Sequence, residues 1–146
     1  MTKTTFATLD DHAKAAATWH VVDASQQTLG RLAVQIAEVL MGKTTPLYTP
    51  HINVGPGVIV VNAGKVRVTG NKLAAKTYRH YTGHVGGLHE RKLSDYLENR
   101  PEFVITTAVR RMLPKSRMGK AMLSRLKVYA GSEHPHQAQK PTPLES

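Results

Sequence analysis

Four groups of residues in this sequence have types and spacings that suggest chemistry. Ala37-x-x-x-x-Gly42-Lys43-Thr44 fits the loose spacing of a nucleotide phosphate loop. Gly83-His84-Val85-Gly86 is a literal G-x-x-G, the pattern with which some nucleic-acid-binding loops grip a backbone. His80, His84, His89, His134 and His136 raise the question of a metal. Residues 109–122 interleave Arg110, Arg111, Lys115, Arg117 and Lys120 with Met112, Leu113, Met118 and Met122.

The first group fails on position. A phosphate loop needs Gly-Lys-Thr to open a helix, so that its amides point at the phosphate. Leu29, Leu32, Ala33, Ile36, Ala37 and Leu40 recur at helical spacing, which predicts a helix over 29–41 with Thr28 as its cap. Gly42 then sits just past the C-terminal end, where the helix dipole favours cations. Nucleotide hydrolysis is rejected. For the histidines, the chain has no HExxH and no cysteine, and imidazoles beside Arg and Lys suit phosphate or bases better than zinc. No metal, cofactor or small-molecule substrate is expected. Asp95, Glu98 and Glu102 read as a solvated helix face. Asp23 follows a strand and is expected to cap a turn or pair with Arg31 rather than act as a base. No nucleophile with its base is visible, so the chain reads as no enzyme.

The glycine pattern and the basic stretch point the same way. Glycines allow close approach of a phosphate or sugar and expose amide donors, although a plain turn needs them equally. The cations around the loop, Lys76 and Arg79 with His80, His84 and His89, favour the nucleic-acid reading. The formal charge is +10, from 20 Lys and Arg against 10 Asp and Glu. Two blocks hold the excess: residues 43–92 carry eight basic side chains against Glu90, and residues 109–127 carry seven and no acid. Charge gathered in this way is the footprint of a phosphate-backbone binder. Aromatic residues make up only 5%, which argues against a stacking platform for single strands and for folded RNA read by shape and phosphate contacts.

The elements that must hold these residues follow from periodicity. Strands are predicted at 19–23, 58–61, 66–69, 76–81 and 126–130. Helices are predicted at 29–41, 93–99, from Pro101 to Pro114, and over 116–125. Residues 43–57 form a long Pro- and Gly-rich loop, and 82–87 a glycine-rich one. Alternation of strands and helices predicts an α/β fold with a mostly parallel sheet covered by helices on both faces. Residues 1–18 read as a flexible N-terminal arm, 19–131 as one α/β RNA-binding domain, and 132–146 as a C-terminal tail. No cysteine, no apolar run of spanning length and no leader-like start are visible, so a cytoplasmic protein without a membrane partner is expected.

Several segments resemble one family. They are Trp19-His20-Val21-Val22-Asp23-Ala24, Thr28-Leu29-Gly30-Arg31-Leu32-Ala33, Tyr48-Thr49-Pro50-His51, Val68-Thr69-Gly70-Asn71-Lys72, Tyr81-Thr82-Gly83-His84-Val85-Gly86-Gly87, Met112-Leu113-Pro114 and Leu126-Lys127-Val128-Tyr129-Ala130-Gly131. In this order, from about residue 19 to 136, the sequence resembles the bacterial large-subunit ribosomal protein L-thirteen family. The resemblance implies a three-layer α/β/α fold on a four-stranded parallel sheet. It also implies a structural role in the large subunit, binding to large-subunit rRNA beside neighbouring ribosomal proteins, and entry early in assembly. By motif match it implies RNA contact at Lys72, His84, Gly86, Gly87, Lys115, Gly119 and Lys120. The charge blocks add Lys43, His51, Lys65, Lys76, Arg79, His80, Arg110, Arg111, Arg117, Arg125 and Lys127 as candidates. The arm before Trp19 is longer than the family pattern. An enzyme acting on RNA or nucleotides and a free messenger-RNA regulator remain the alternatives.

Overall fold

A computed structural model describes residues 6–144; the outermost parts of the expected arm and tail lie outside the described residues. Strand β1 (Trp19–Asp23) leads into helix α2 (Leu29–Met41), and β2 (Gly57–Val61) follows the long loop. After a 3-10 turn (Ala63–Lys65) come the short α3 (Lys72–Ala75) and the β3 (Thr77–Tyr81)–β4 (Leu88–Lys92) hairpin. Helices α4 (Leu93–Asn99), α5 (Pro101–Met112) and α6 (Arg117–Ser124) precede β5 (Leu126–Val128) and β6 (Thr142–Pro143). A first helix, α1 (Leu9–Ala17), stands before all of them.

The main sheet has four parallel strands in the order β5-β2-β1-β6. β2 is central and buried along its whole length, as its unbroken β-branched run requires of a parallel strand covered on both faces. Val58 and Val60 join one apolar cluster with Val22 from β1, Leu32, Ile36 and Leu40 from α2, Val104, Ile105 and Val109 from α5, and Met122 from α6. Ile59 points the other way and is fully buried outside that cluster. On that side Trp19 stacks on His136 with centroids 5.9 Å apart, and α1 packs against β2. The α/β class and the parallel four-stranded sheet agree with expectation.

The structure departs from the sequence reading in four places. The fourth sheet strand is β6, from the segment expected to be a tail. Residues 66–69 form no strand; Arg67 only bridges to the chain entering α2, with Leu29 N–H donating to its carbonyl at 2.9 Å. The expected strand at 76–81 forms, but in a separate two-stranded antiparallel hairpin with β4. β4, Leu-His-Glu-Arg-Lys, is exposed at every residue, so it carries none of the alternation that marks a half-buried strand. The expected arm contains α1, opened by a capping box in which the Thr8 hydroxyl and Asp11 carboxylate each accept from the other's backbone N–H.

Close backbone approach explains two glycines. A Cβ at Gly55 would lie 1.9 Å from the Leu40 carbonyl oxygen, so the long loop passes directly against the end of α2. Gly42 takes a φ of +77° and ends α2 as expected, with its N–H returned to the Glu38 and Val39 carbonyls. Thr28 does precede α2, but its hydroxyl makes no capping bond.

Candidate nucleic-acid interface

Two concavities on one face of the molecule share Arg111. The first, about 240 Å³, is lined by Thr28 and Gly30 at the start of α2, by Arg67, Lys72 and Lys76, and by Arg111 from α5. An adjoining shallow depression adds Arg31. The second, about 630 Å³, lies between the β3–β4 hairpin and α5 and includes Arg79, His80, Arg91, Arg100, Arg110 and Arg111. No Asp or Glu lines any of the three.

The local structure aims these charges together. Arg110 and Arg111 occupy the last turn of α5, whose apolar residues Val104, Ile105 and Val109 are fully buried, so successive arginines must emerge beside the core. Cations at a helix C-terminus are also favoured by the dipole. At the other rim, the N-terminus of α2 has no acid in its first turn, so its partial positive charge adds to that of Arg31, Arg67 and Lys72. Burial, with Arg111 and Lys72 nearby, lowers the pKa of Lys76, the sign of cations crowded against one another. Arg79 is partly neutralised, with its Nε 2.6 Å from a Glu90 carboxylate oxygen. Lys76 Nζ and the Arg111 guanidinium lie 5.3 and 6.0 Å from the Tyr78 ring centroid, which holds both at this face.

Of the predicted residues, the structure brings together Lys72, Lys76, Arg79, His80, Arg110 and Arg111. His84 stands apart on the exposed hairpin loop, where Thr82 N–H donates to the Gly87 carbonyl at 3.1 Å and Gly83 and Gly86 take φ of +91° and +75°. Gly87 has its own structural reason, since a Cβ there would meet the Thr82 hydroxyl at 2.1 Å. Lys115, Arg117 and Lys120 are exposed on the turn into α6 and its first turn. Gly119 is buried, its absent Cβ replaced by the Pro114 carbonyl, so it shapes that turn from inside. Lys43 and His51 lie beyond the C-terminal end of α2, on the order of 20 Å along the helix from Arg31's end. Lys65 is exposed next to Asp23. Lys127 is half-buried in β5.

Arg125 is turned inward. Its guanidinium donates to the Gly55 carbonyl and meets His12 Nε2 at 2.9 Å, and burial lowers its pKa. It fastens the long loop and α1 rather than facing solvent. Asp23 caps its turn: Ser25 N–H donates to it at 2.8 Å and Asn62 Nδ2 at 3.0 Å, and the Ser25 hydroxyl donates as well. These bonds, those from Ser25 foremost, hold its carboxyl below the usual carboxylate range. Arg31 is not its partner.

Sequence reasoning missed Arg31, Arg67, Arg91 and Arg100 as members of this face. Arg31 and Arg67 were visible as charges, but only the bridge between residues 28 and 67 puts them side by side. Among the described residues no three His, Asp or Glu side chains converge in the manner of metal ligands, and no helix is long and apolar enough to cross a membrane.

Comparison with known proteins places the chain in a family. The family described as Ribosomal protein L13 matches residues 17–135. Large ribosomal subunit protein uL13 of Maridesulfovibrio salexigens is 58% identical over 127 residues, covering 87% of this chain and 89% of that protein. The uL13 proteins of Thermoanaerobacter sp. strain X514 and Aquifex aeolicus are 57% and 59% identical over the same length, covering 87% of this chain and 89% and 88% of theirs. Helix α1 lies almost wholly before the matched residues. This chain belongs to the ribosomal protein L13 family.

Proposed function

We propose that this protein is a structural component of the large ribosomal subunit, not an enzyme, which binds large-subunit rRNA and enters early in assembly in the cytoplasm. The observation that carries this reading is the continuous basic face: two concavities joined at Arg111 and lined by no acid. In a free protein such crowding is unfavourable, and a sugar–phosphate surface relieves it by releasing its own counterions. Lys72, Lys76, Arg79, His80, Arg110 and Arg111, with Arg31, Arg67, Arg91 and Arg100, form the main contact. His84 with Gly86 and Gly87 on the hairpin loop, and Lys115, Arg117 and Lys120 on the α6 turn, extend it. The names of the relatives, large ribosomal subunit proteins, support the assignment.

The test is sedimentation of the tagged chain through a sucrose gradient, followed by ultraviolet crosslinking inside the isolated particles. Cosedimentation with large subunits and with their precursors, and crosslinks to rRNA from peptides containing residues 72–80 and 110–120, are expected. A chain that stays at the top of the gradient, bound to messenger RNA or to nothing, refutes the proposal.

A further inference from the structure

Three of the chain's eight aromatic residues meet in the larger concavity. Tyr96 and Phe103 stack at 4.6 Å with their planes 21° apart. Tyr78 sets its ring against the edges of both, at 5.2 and 5.7 Å. Tyr78 is buried, whereas Phe103 remains 40% exposed and lines the concavity together with Arg100, Arg110 and Arg111. Tyr96 covers one face of the Phe103 ring, so what is exposed is the rest of that ring, opening into a space of about 630 Å³ surrounded by cations. That volume falls within the ~300–1,000 Å³ typical of small-molecule sites.

The combination selects its ligand. A phosphate needs the guanidinium groups and gains nothing from a benzene ring in their midst. An apolar peptide side chain would use the ring and leave the cations unpaired. A nucleotide satisfies both, offering a π-face to Phe103 and a backbone phosphate to the arginines. We infer that this concavity is a pocket for one unstacked RNA base, held against Phe103 while its flanking phosphates lie on Arg100, Arg110 and Arg111. The inference deepens the rRNA-binding proposal and rests on it. The scarcity of aromatics argues against a stacking platform for single strands; one exposed ring for one base is a narrower role. What matters is where three rings lie and not how many the chain has.

Two RNA hairpins of equal length test it with the full-length protein, one fully paired and one carrying a single bulged 2-aminopurine. Base–aromatic stacking of the usual strength predicts that the bulged hairpin binds between about 5- and 150-fold more tightly, with a change in 2-aminopurine fluorescence on binding. Phe103→Leu should remove that preference and leave affinity for the paired hairpin unchanged. Equal affinity of the wild-type protein for the two hairpins overturns the pocket while leaving salt-dependent RNA binding intact. Failure to bind either hairpin removes the RNA-binding proposal and the pocket with it. Should Phe103→Leu not fold, judged by circular dichroism, the wild-type comparison and the fluorescence change decide the question alone.

Discussion

Neutralising the centre of the basic face should change how RNA binding responds to salt, by an amount that can be worked from the geometry. In the variant Arg67→Gln/Lys72→Gln/Arg111→Gln, all three removed charges line one concavity, and Arg111 also serves the second. If each meets one phosphate, the log–log dependence of affinity on salt should flatten by about 0.7–0.9 per contact, so by roughly 2 to 3 in total. Over a threefold rise in salt, the variant then loses roughly tenfold less affinity than the wild type, from a weaker starting point. Filter binding to a large-subunit rRNA transcript between about 0.1 and 0.3 M KCl reads this directly. Lys14→Gln/Lys140→Gln removes charge away from the shared face and should leave the slope nearly unchanged. Flattening per removed charge equal to that of the triple variant would show that net charge, and not the face, governs binding, and the reasoning would be wrong.

The remaining predictions concern the scaffold. Gly55→Ala places a Cβ 1.9 Å from the Leu40 carbonyl and should destabilise by about 3 kcal/mol in urea unfolding, whereas Gly30→Ala meets nothing within 4 Å on a helix and should stabilise by about 0.5–1 kcal/mol. Ile36→Ala empties a fully buried site in the main core and should cost about 2–5 kcal/mol by the same measurement. Thr8→Ala removes the α1 cap; hydrogen exchange of α1 amides should quicken by an amount corresponding to about 1 kcal/mol, with amides of β2 unaffected. The Asp23 carboxyl is held below its ordinary value of about 3.9 by bonds from Ser25 and Asn62. Its contribution to stability is therefore complete above that value and lost as pH falls through the lower folded-state value. Asp23→Asn should lower stability at neutral pH, leave it nearly unchanged below the folded-state value, and so flatten the fall between them; an unchanged profile would show the turn to be indifferent to the charge.

Much of the scaffold was legible in the residues themselves. The α2 stripe of Leu29, Leu32, Ile36 and Leu40, its Gly42 terminus, the Pro101 start of α5 and the apolar run of β2 are local patterns, and each formed where expected. The capping box Thr8-x-x-Asp11 was a local signal as well, overlooked because the surrounding residues are polar and alanine-rich. β4 and β6 were not legible. β4 is exposed throughout and β6 is two residues long, so neither carries a period, and both exist because a partner strand is already in place. Arg125 looked like part of a basic block, and only the fold shows its guanidinium spent on Gly55 and His12.

What this sequence determined by itself is its electrostatic character and its principal elements. Charge density and the spacing of apolar residues are properties of the chain, expressed within a few residues of where they are written. The tertiary structure decided which cations share a surface. Arg31 and Arg67 are neighbours because residues 28 and 67 bridge; Arg79 and Arg110 border one hollow because the β3–β4 hairpin lies over α5. It also gathered Tyr78, Tyr96 and Phe103 from a strand and two helices into one cluster. Such contacts join residues far apart in sequence through packing of buried side chains, and no local period encodes them.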